Sequence, residues 1–251
     1  MLSKEKTWEK LLATGKVEGP MPSGLWDLSG LDLTGADLIE TDLRGVIFRG
    51  ANLTGATLIK AYPIGADFRK ATLRKTILTE AKCMNAIFDE ADMSEAMVNS
   101  AELSAASLVR ANLTKANLQN TFFTIANLEG AILIGANLAR VQLSAANLSG
   151  ADLSEVNLNG ADLNGAKLVN TNMERANLAE ADFNYADLSG ANLNGANLQE
   201  SKLVNAKLKE TLNLTVQQLS RTSTLLDSKL DPIIMQQLQT EHPNLFINPE
   251  G

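Results

Sequence analysis

A five-residue pattern repeats without a change of frame from Trp26 to Glu210, and it restricts the possible folds of this chain more than any other feature. Each repeat places a small residue, usually Ala, two positions before a large apolar residue, usually Leu. Counted on the large apolar residue from Leu28 to Leu208 there are 37 repeats, and Leu and Ala each hold their position in 27 of them. Such regularity predicts a repeat architecture.

A period of five excludes both regular secondary structures. On an α-helix, successive Leu residues would be rotated by roughly 140°, so no face would stay apolar. On a straight strand, they would alternate between opposite faces. The chain must therefore turn once per repeat, with Ala and Leu pointing inward and the residue between them outward. The sequence predicts an all-β solenoid whose coils pair edge to edge at about 4.8 Å.

Runs such as Ala151-Asp152-Leu153-Ser154-Glu155 and Ala191-Asn192-Leu193-Asn194-Gly195 resemble the pentapeptide repeat family. The resemblance implies a right-handed quadrilateral β-helix with four repeats, or 20 residues, in each coil. Two sets of residues show that spacing. Inward Phe48, Phe68 and Phe88 should stack, and an outward ladder should form from Asn117, Asn137, Asn157, Asn177 and Asn197. About nine coils would make a rod roughly 43 Å long.

Residues 1–25 are predicted to form a helical cap and a lead-in to the first coil. A helix from Ser3 to about Ala13 has Ser3 as its N-cap. Its apolar stripe consists of Leu2, Trp8, Leu11 and Leu12. Such a helix would cover the open edge and the apolar end of the solenoid, where Trp26 is expected to plug the core.

The repeat region is predicted to span residues 26–210, followed by a cap in residues 211–251. Thr215 and Gln218 form a capping-box pattern for a short helix that ends near Ser220. A second helix is expected to begin at Asp231-Pro232 and to end before His242. We expect His242 to Gly251 to form a loose tail.

Two features within the repeats predict local backbone behaviour. Gly often follows the large apolar residue by two positions, as at Gly30, which indicates a type II turn with positive φ at each such corner. From Lys70 to Ile125 this position never holds Gly, so we expect a different turn type there. Pro63 occupies an inward position without a backbone N–H, and should distort one side locally.

The sequence offers little for catalysis or for cofactor and metal binding. His242 is the sole histidine and lies in the tail, and Cys83, the only cysteine, occupies an inward position. Neither nucleophile pairs nor Cys/His metal spacing is present. Paired carboxylates follow from the repeat itself. We therefore expect a protein that is not an enzyme and has no cofactor.

Charge is distributed in bands along the repeats. The segment from Arg44 to Lys82 carries a charge of +6 between two acidic segments. Its bases could pair with acids on neighbouring coils or form a docking site for an acidic partner. The candidate basic band consists of Arg44, Arg49, Arg69, Lys70, Arg74 and Lys75, with Lys60 and Lys82 alongside. Nucleic acid is not the expected partner of a chain with net charge −7 and no basic groove.

Apolar residues occupy several outward positions near Pro63, although this repeat usually places polar residues there. With 20 residues in a coil they should lie on one side of the solenoid. The candidate partner-binding residues are Tyr62, Ile64, Lys82, Met84 and Phe122, with Lys82 stacked on the Tyr62 ring. They could instead pack over an irregularity that Pro63 creates.

The favoured function is a non-catalytic scaffold that binds an unidentified protein partner through flat outer faces. One alternative from the family resemblance is a DNA-mimicking inhibitor of DNA gyrase, for which the basic band interrupts the required acidic face. Another is a regulatory partner in cyanobacterial-type cell differentiation or envelope function. The sequence contains neither an apolar stretch of ~20 residues nor a signal-like N-terminus. We therefore expect a cytoplasmic protein without a membrane span, as a monomer or weak dimer.

Overall fold

The computed structural model describes residues 4–13 and 24–247 and shows a quadrilateral β-helix. Parallel bridges join residues 20 apart, from Asp27 with Ile47 to Asn192 with Leu212. Four pentapeptides therefore complete each coil, as the sequence predicted. Each side of a coil contributes a single bridged residue, because the chain turns again two residues later.

The Ala and Leu positions form the core, which confirms the inward assignment. Leu153, for example, is fully buried. The rings of Phe48 and Phe68, and those of Phe68 and Phe88, are stacked with centroids 4.8 Å apart and planes within 4°. The predicted aromatic ladder is thus present at the spacing of neighbouring coils.

Every corner of the repeat region has the same left-handed backbone conformation. From Gly30 to Glu210, each residue two positions after the large apolar residue has a φ between 54° and 70°. The expectation of a different turn from Lys70 to Ile125 is wrong: Lys70 has a φ of 58°, and Ala71 N–H donates to the Phe68 carbonyl at 3.0 Å as at other corners. Inward packing on both sides of a corner and the hydrogen bonds between coils fix the turn whether or not the residue is Gly.

The outward Asn and Asp residues stabilise both the corner and the stack of coils. The side-chain oxygen of Asn157 accepts from the backbone N–H of Asn159 at 3.3 Å and from the amide of Asn177 at 3.1 Å. The same amide bonds link the predicted ladder from Asn117 to Asn197. An Asn in this position thus supplies the turn acceptor and also a donor to the coil below.

Helix α1 (Lys4–Ala13) covers the N-terminal end of the coils. Trp8 and Leu11 are buried, and the Trp8 ring meets that of Trp26 edge to face at 5.3 Å. Thr7 Oγ1 accepts from Asp42 N–H at 3.0 Å, and Lys10 Nζ donates to the Ile39 carbonyl at 3.3 Å. The expected N-cap Ser3 and Leu2 lie outside the described residues.

The ladder of coils continues beyond Glu210, where the five-residue pattern ends. Lys202 bridges Thr224 and Lys207 bridges Lys229, both at a spacing of 22 residues. Helix α2 (Val216–Leu219) lies in the connection before Thr224, and Thr215 forms its predicted capping box. A tenth turn of chain, incomplete on one side, therefore lies on the last repeats.

Helix α3 (Pro232–Glu241) begins at the predicted proline, and a 3₁₀ helix follows at Pro243–Phe246. The expectation of a loose tail after His242 is wrong as far as Ile247. Leu245 is buried, and its carbonyl accepts from Leu225 N–H at 2.7 Å. An apolar side chain that closes the C-terminal end of the core keeps this segment in place.

Candidate partner-binding site

The 20-residue coil brings the predicted binding residues onto one side of the solenoid. Tyr62, Lys82 and Phe122 belong to the column of outward residues at 20-residue steps from Asp42, which we call the Tyr62 side. Ile64 and Met84 lie at the adjoining corner, in neighbouring coils. Phe122 is three coils from Tyr62, roughly 14 Å along the rod.

Pro63 distorts this side locally, as the sequence predicted. Its ring is buried, and the bridge between Tyr62 and Lys82 is the one missing from the otherwise regular column. Leu43 N–H donates to the Tyr62 carbonyl at 3.2 Å, against 2.7 Å for the corresponding bond between Leu53 and Thr72. The distortion is thus limited to one absent and one lengthened hydrogen bond.

The candidate residues differ in exposure. Phe122 is 45% exposed, whereas Tyr62, Ile64 and Met84 are half-buried. Lys82 Nζ lies 5.9 Å from the centre of the Tyr62 ring, as predicted, and 3.7 Å from a Glu102 carboxylate oxygen. A shallow groove of about 380 Å³ borders Tyr62 and Lys82. This surface therefore combines apolar area with the Lys82 ammonium, which already contacts the Tyr62 ring and the Glu102 carboxylate.

Sequence analysis missed two apolar side chains at the corner next to the Tyr62 side, and both are more exposed than Phe122. Ile125 is 62% exposed, and Tyr185, three coils further on, is 61% exposed. Both occupy corner positions, for which the repeat pattern indicates only a preference for Gly. Their size and exposure, read from the sequence column by column, could have identified them. Met97 and Ile132 are also exposed, on other sides, so apolar outward residues are concentrated here but not confined here.

The basic band is distributed around the rod and is paired with carboxylates. Its members lie at several corners, and each has a carboxylate oxygen within 4.0 Å, most often one coil away. The pairs are Arg44–Asp42, Arg49–Asp67, Lys60–Glu80, Arg69–Asp67, Lys70–Glu90, Arg74–Asp92, Lys75–Glu95 and Lys82–Glu102. This arrangement fits ion pairing between neighbouring coils better than a docking site for an acidic partner.

Asp67 is the most strongly perturbed acid of this band. Its buried carboxylate accepts from Arg69 and from Arg49, each at 2.6 Å to Oδ2. The Arg69 hydrogen bond, assisted by that of Arg49, lowers its pKa from 3.8 to about 2 against the opposing effect of burial. These are the bonds of a structural ion pair, with both arginine side chains lying along the surface.

Within residues 4–13 and 24–247, no three His, Cys, Asp or Glu side chains are grouped in a way that could hold a metal ion. Cys83 is buried, and this burial raises the pKa of its thiol. A buried thiol with a raised pKa is a poor nucleophile. None of the described helices has the length and apolar composition needed to cross a membrane.

The coils, corners and ladders define a β-solenoid built from five-residue units. The sequence model of the pentapeptide repeats matches residues 27–62 and 66–209 in eight overlapping copies. The chain therefore belongs to the pentapeptide repeat family, whose fold is the right-handed quadrilateral β-helix. The comparison with curated protein sequences gives no significant match.

Several solved structures are similar to this chain. HetL, described as a pentapeptide repeat protein involved in heterocyst differentiation regulation in the cyanobacterium Nostoc, is 27% identical with a TM-score of 0.43, covering 88% of this chain and 92% of its own. QnrB1, described as a plasmid-mediated fluoroquinolone resistance protein, is 16% identical with a TM-score of 0.37. The match covers 76% of this chain and 99% of the QnrB1 chain. Rfr23, a pentapeptide repeat protein from the cyanobacterium Cyanothece, is 31% identical with a TM-score of 0.22. The match covers 50% of this chain and 64% of the Rfr23 chain.

Proposed function

We propose that this protein is a non-catalytic scaffold that binds a protein partner through its Tyr62 side and the adjoining corner. The observation that carries the proposal is the concentration of apolar side chains there, in a repeat whose outward positions are otherwise mostly polar. Phe122, Ile125 and Tyr185 supply exposed area, and Tyr62 and Met84 supply half-buried area beside them. Aromatic and Met side chains are enriched in the centres of protein interfaces.

Rigidity supports the same function. Backbone hydrogen bonds from each coil to the next fix the separation of outward side chains along the rod. A partner that contacts several coils therefore meets a surface that requires little ordering on binding. The described residues offer shallow grooves in place of a deep catalytic cleft.

The gyrase-inhibitor alternative has less support. A DNA-like surface needs a sustained row of acids, whereas the Tyr62 side carries acidic, aromatic and basic residues in turn. Of the other three columns of outward residues, one has Asp37 as its single acid, and two interrupt their acids with residues such as Asn, Ile and Lys. A supercoiling assay separates the two functions, because a scaffold of the proposed type leaves gyrase activity unchanged. A regulatory role in differentiation or envelope function would use the same kind of surface and differs in its partner.

The test is a Tyr62→Ser, Met84→Ser double variant, compared by quantitative affinity capture from the native host. We expect it to lose the captured partner while keeping its circular dichroism spectrum and melting temperature. The matched control is Ile77→Ser, Met97→Ser, which removes outward apolar side chains from another side. The control should keep the partner. A double variant that loses stability but keeps the partner would show that Tyr62 and Met84 serve packing around Pro63.

A further inference from the structure

The tenth coil is incomplete on the side that carries the Asn117–Asn197 ladder, which we call the Asn197 side. On the other three sides this coil pairs with the coil beneath, through Leu212, Thr224 and Lys229. On the Asn197 side the last bridge joins Asn177 and Asn197. Helix α2 lies where the next pairing residue would be.

This interruption leaves two backbone donors without an acceptor in the described part of the chain. In the preceding coil, Leu178 N–H donates to the Asn197 carbonyl and Arg175 N–H to the Asn194 carbonyl, both at 2.8 Å. Leu198 and Gly195 hold the equivalent positions one coil later. Neither N–H has a hydrogen-bond acceptor among residues 4–13 and 24–247. The other donors that point toward the tenth coil, between Leu193 and Glu210, all have one.

The backbone acceptors at this end are already occupied. Gln218 of α2 directs its amide back onto the coil, where Nε2 donates to the Leu193 carbonyl at 2.8 Å and to the Ala196 carbonyl at 3.0 Å. In complete coils the carbonyl at the Ala196 position accepts from the backbone of the next coil. Gln218 thus supplies a donor to the Leu193 and Ala196 carbonyls but no acceptor to the Leu198 and Gly195 N–H groups.

A recess of about 410 Å³ opens beside these donors. Its lining includes Gly195, Leu198, Gln199, Gln217 and Arg221. Arg221 is exposed and has no carboxylate within 4.0 Å in the described part of the chain. Glu200 lines a neighbouring recess with Gln199 and Arg221, and its carboxylate accepts from the Gln199 amide at 3.3 Å. The recess therefore combines the backbone N–H groups of Leu198 and Gly195 with the Arg221 guanidinium and the Gln217 amide.

We propose that this recess binds a carboxylate group, either of a small organic acid or of an acidic side chain or terminus of a peptide. A carboxylate is an acceptor-only group, and it matches a set of donors that includes an arginine. An added β-strand is a poorer match, because its own N–H groups would need the Ala196 carbonyl that Gln218 occupies. The volume is large enough for a small organic molecule.

The direct test is NMR titration of the full-length protein with sodium acetate at constant ionic strength. The amide signals of Leu198 and Gly195 should shift and saturate. Leu178 and Arg175 are internal controls, because their N–H groups already donate to carbonyls. Shifts that stay linear in acetate concentration, or that chloride reproduces, would overturn the proposal.

Two variants locate the site. Arg221→Gln should raise the dissociation constant for acetate about tenfold, since it removes a charge-assisted hydrogen bond. Gln217→Glu should abolish binding by placing a carboxylate in the lining. Arg140→Gln, an exposed arginine in a different part of the rod, is the matched control and should bind acetate unchanged. Equal affinity in all three variants would rule the recess out.

The two sources of the carboxylate are distinguished with short peptides. A peptide with a free C-terminus that binds more tightly than acetate, and loses this gain when amidated, would indicate a peptide ligand. Tighter binding of succinate than of the peptide would indicate a small acid. Both outcomes support a carboxylate site. Equal binding of the peptide with a free C-terminus and of its amidated form would contradict it.

Discussion

Ile125 combines a β-branched side chain with a φ of 54°, a backbone region that such residues rarely adopt. The left-handed conformation costs an L-residue about 1–2 kcal/mol, and Asn tolerates it better than most. Because Ile125 is 62% exposed, its replacement loses little burial. We expect Ile125→Asn to raise the free energy of unfolding by about 1 kcal/mol, measured by chemical denaturation.

The control for this prediction is Ala145→Asn, at the same corner one coil further on, where φ is 56°. Ala is not β-branched, so the gain there should be smaller. An Ile125→Asn variant no more stable than the Ala145→Asn variant would show that Ile125 is not strained. If Ile125→Asn is stabilising and also weakens partner binding, the strain is retained for binding.

Asp67 gives the stability of the protein a predictable dependence on acid. Its pKa is lowered in the folded state from 3.8 to about 2, so its contribution is fully present above pH 3.8 and disappears as the pH falls to about 2. At most about 2 kcal/mol is involved, because the arginine partners are half-exposed. Asp67→Asn should reduce the loss of unfolding free energy between pH 3.8 and about 2, as measured by urea denaturation at several pH values. An unchanged profile would contradict this account.

At the scale of single elements, α1 is expected to prevent the solenoid from associating end to end. It buries Trp8 and Leu11 and supplies Thr7 and Lys10 to backbone groups of the first coil. A variant that begins at Pro22 would expose these groups and the apolar end of the core. We expect it to associate or precipitate, as measured by light scattering. A soluble monomer of unchanged melting temperature would count against a capping role for α1.

The sequence correctly predicted the elements that follow from the repeated pattern. Its predictions were wrong or absent where contacts between coils determine the backbone conformation. The inward Leu and Phe positions follow from periodicity alone. The conformation at Lys70 does not, because packing and hydrogen bonds between coils override its preference against positive φ. The tenth coil was missed since α2 lengthens its spacing to 22 residues and interrupts the pattern.

At the scale of the whole molecule, stability is shared between coils that contact only their neighbours. Leu153→Asp would place an unpaired charge in the dry core and is expected to cost several kcal/mol. Amide hydrogen exchange should show the largest loss of protection in its own coil and the two adjoining coils. An unchanged melting temperature would refute the inward position of Leu153.

The candidate sites differ in how far sequence could reveal them. Tyr62, Met84 and Phe122 were found because 20-residue spacing places apolar residues on one side. Ile125 and Tyr185 became evident only in the structure, which shows that side chains at the corners project into solvent. The carboxylate recess has no sequence pattern, because it depends on which backbone donors Leu198 and Gly195 lose when α2 replaces a pairing residue.

Because the hydrogen bonds between coils run along the rod, this fold should respond unequally to pulling in different directions. Tension applied at the two ends of the rod loads only the few bonds of the outermost coil at a time. Each coil released would lengthen the molecule by about 60 Å, from 20 residues at roughly 3.3–3.6 Å each less the original coil spacing. A solenoid with a continuous buried core can thus unwind under modest force, and the contacts of its two caps set the force at which unwinding begins.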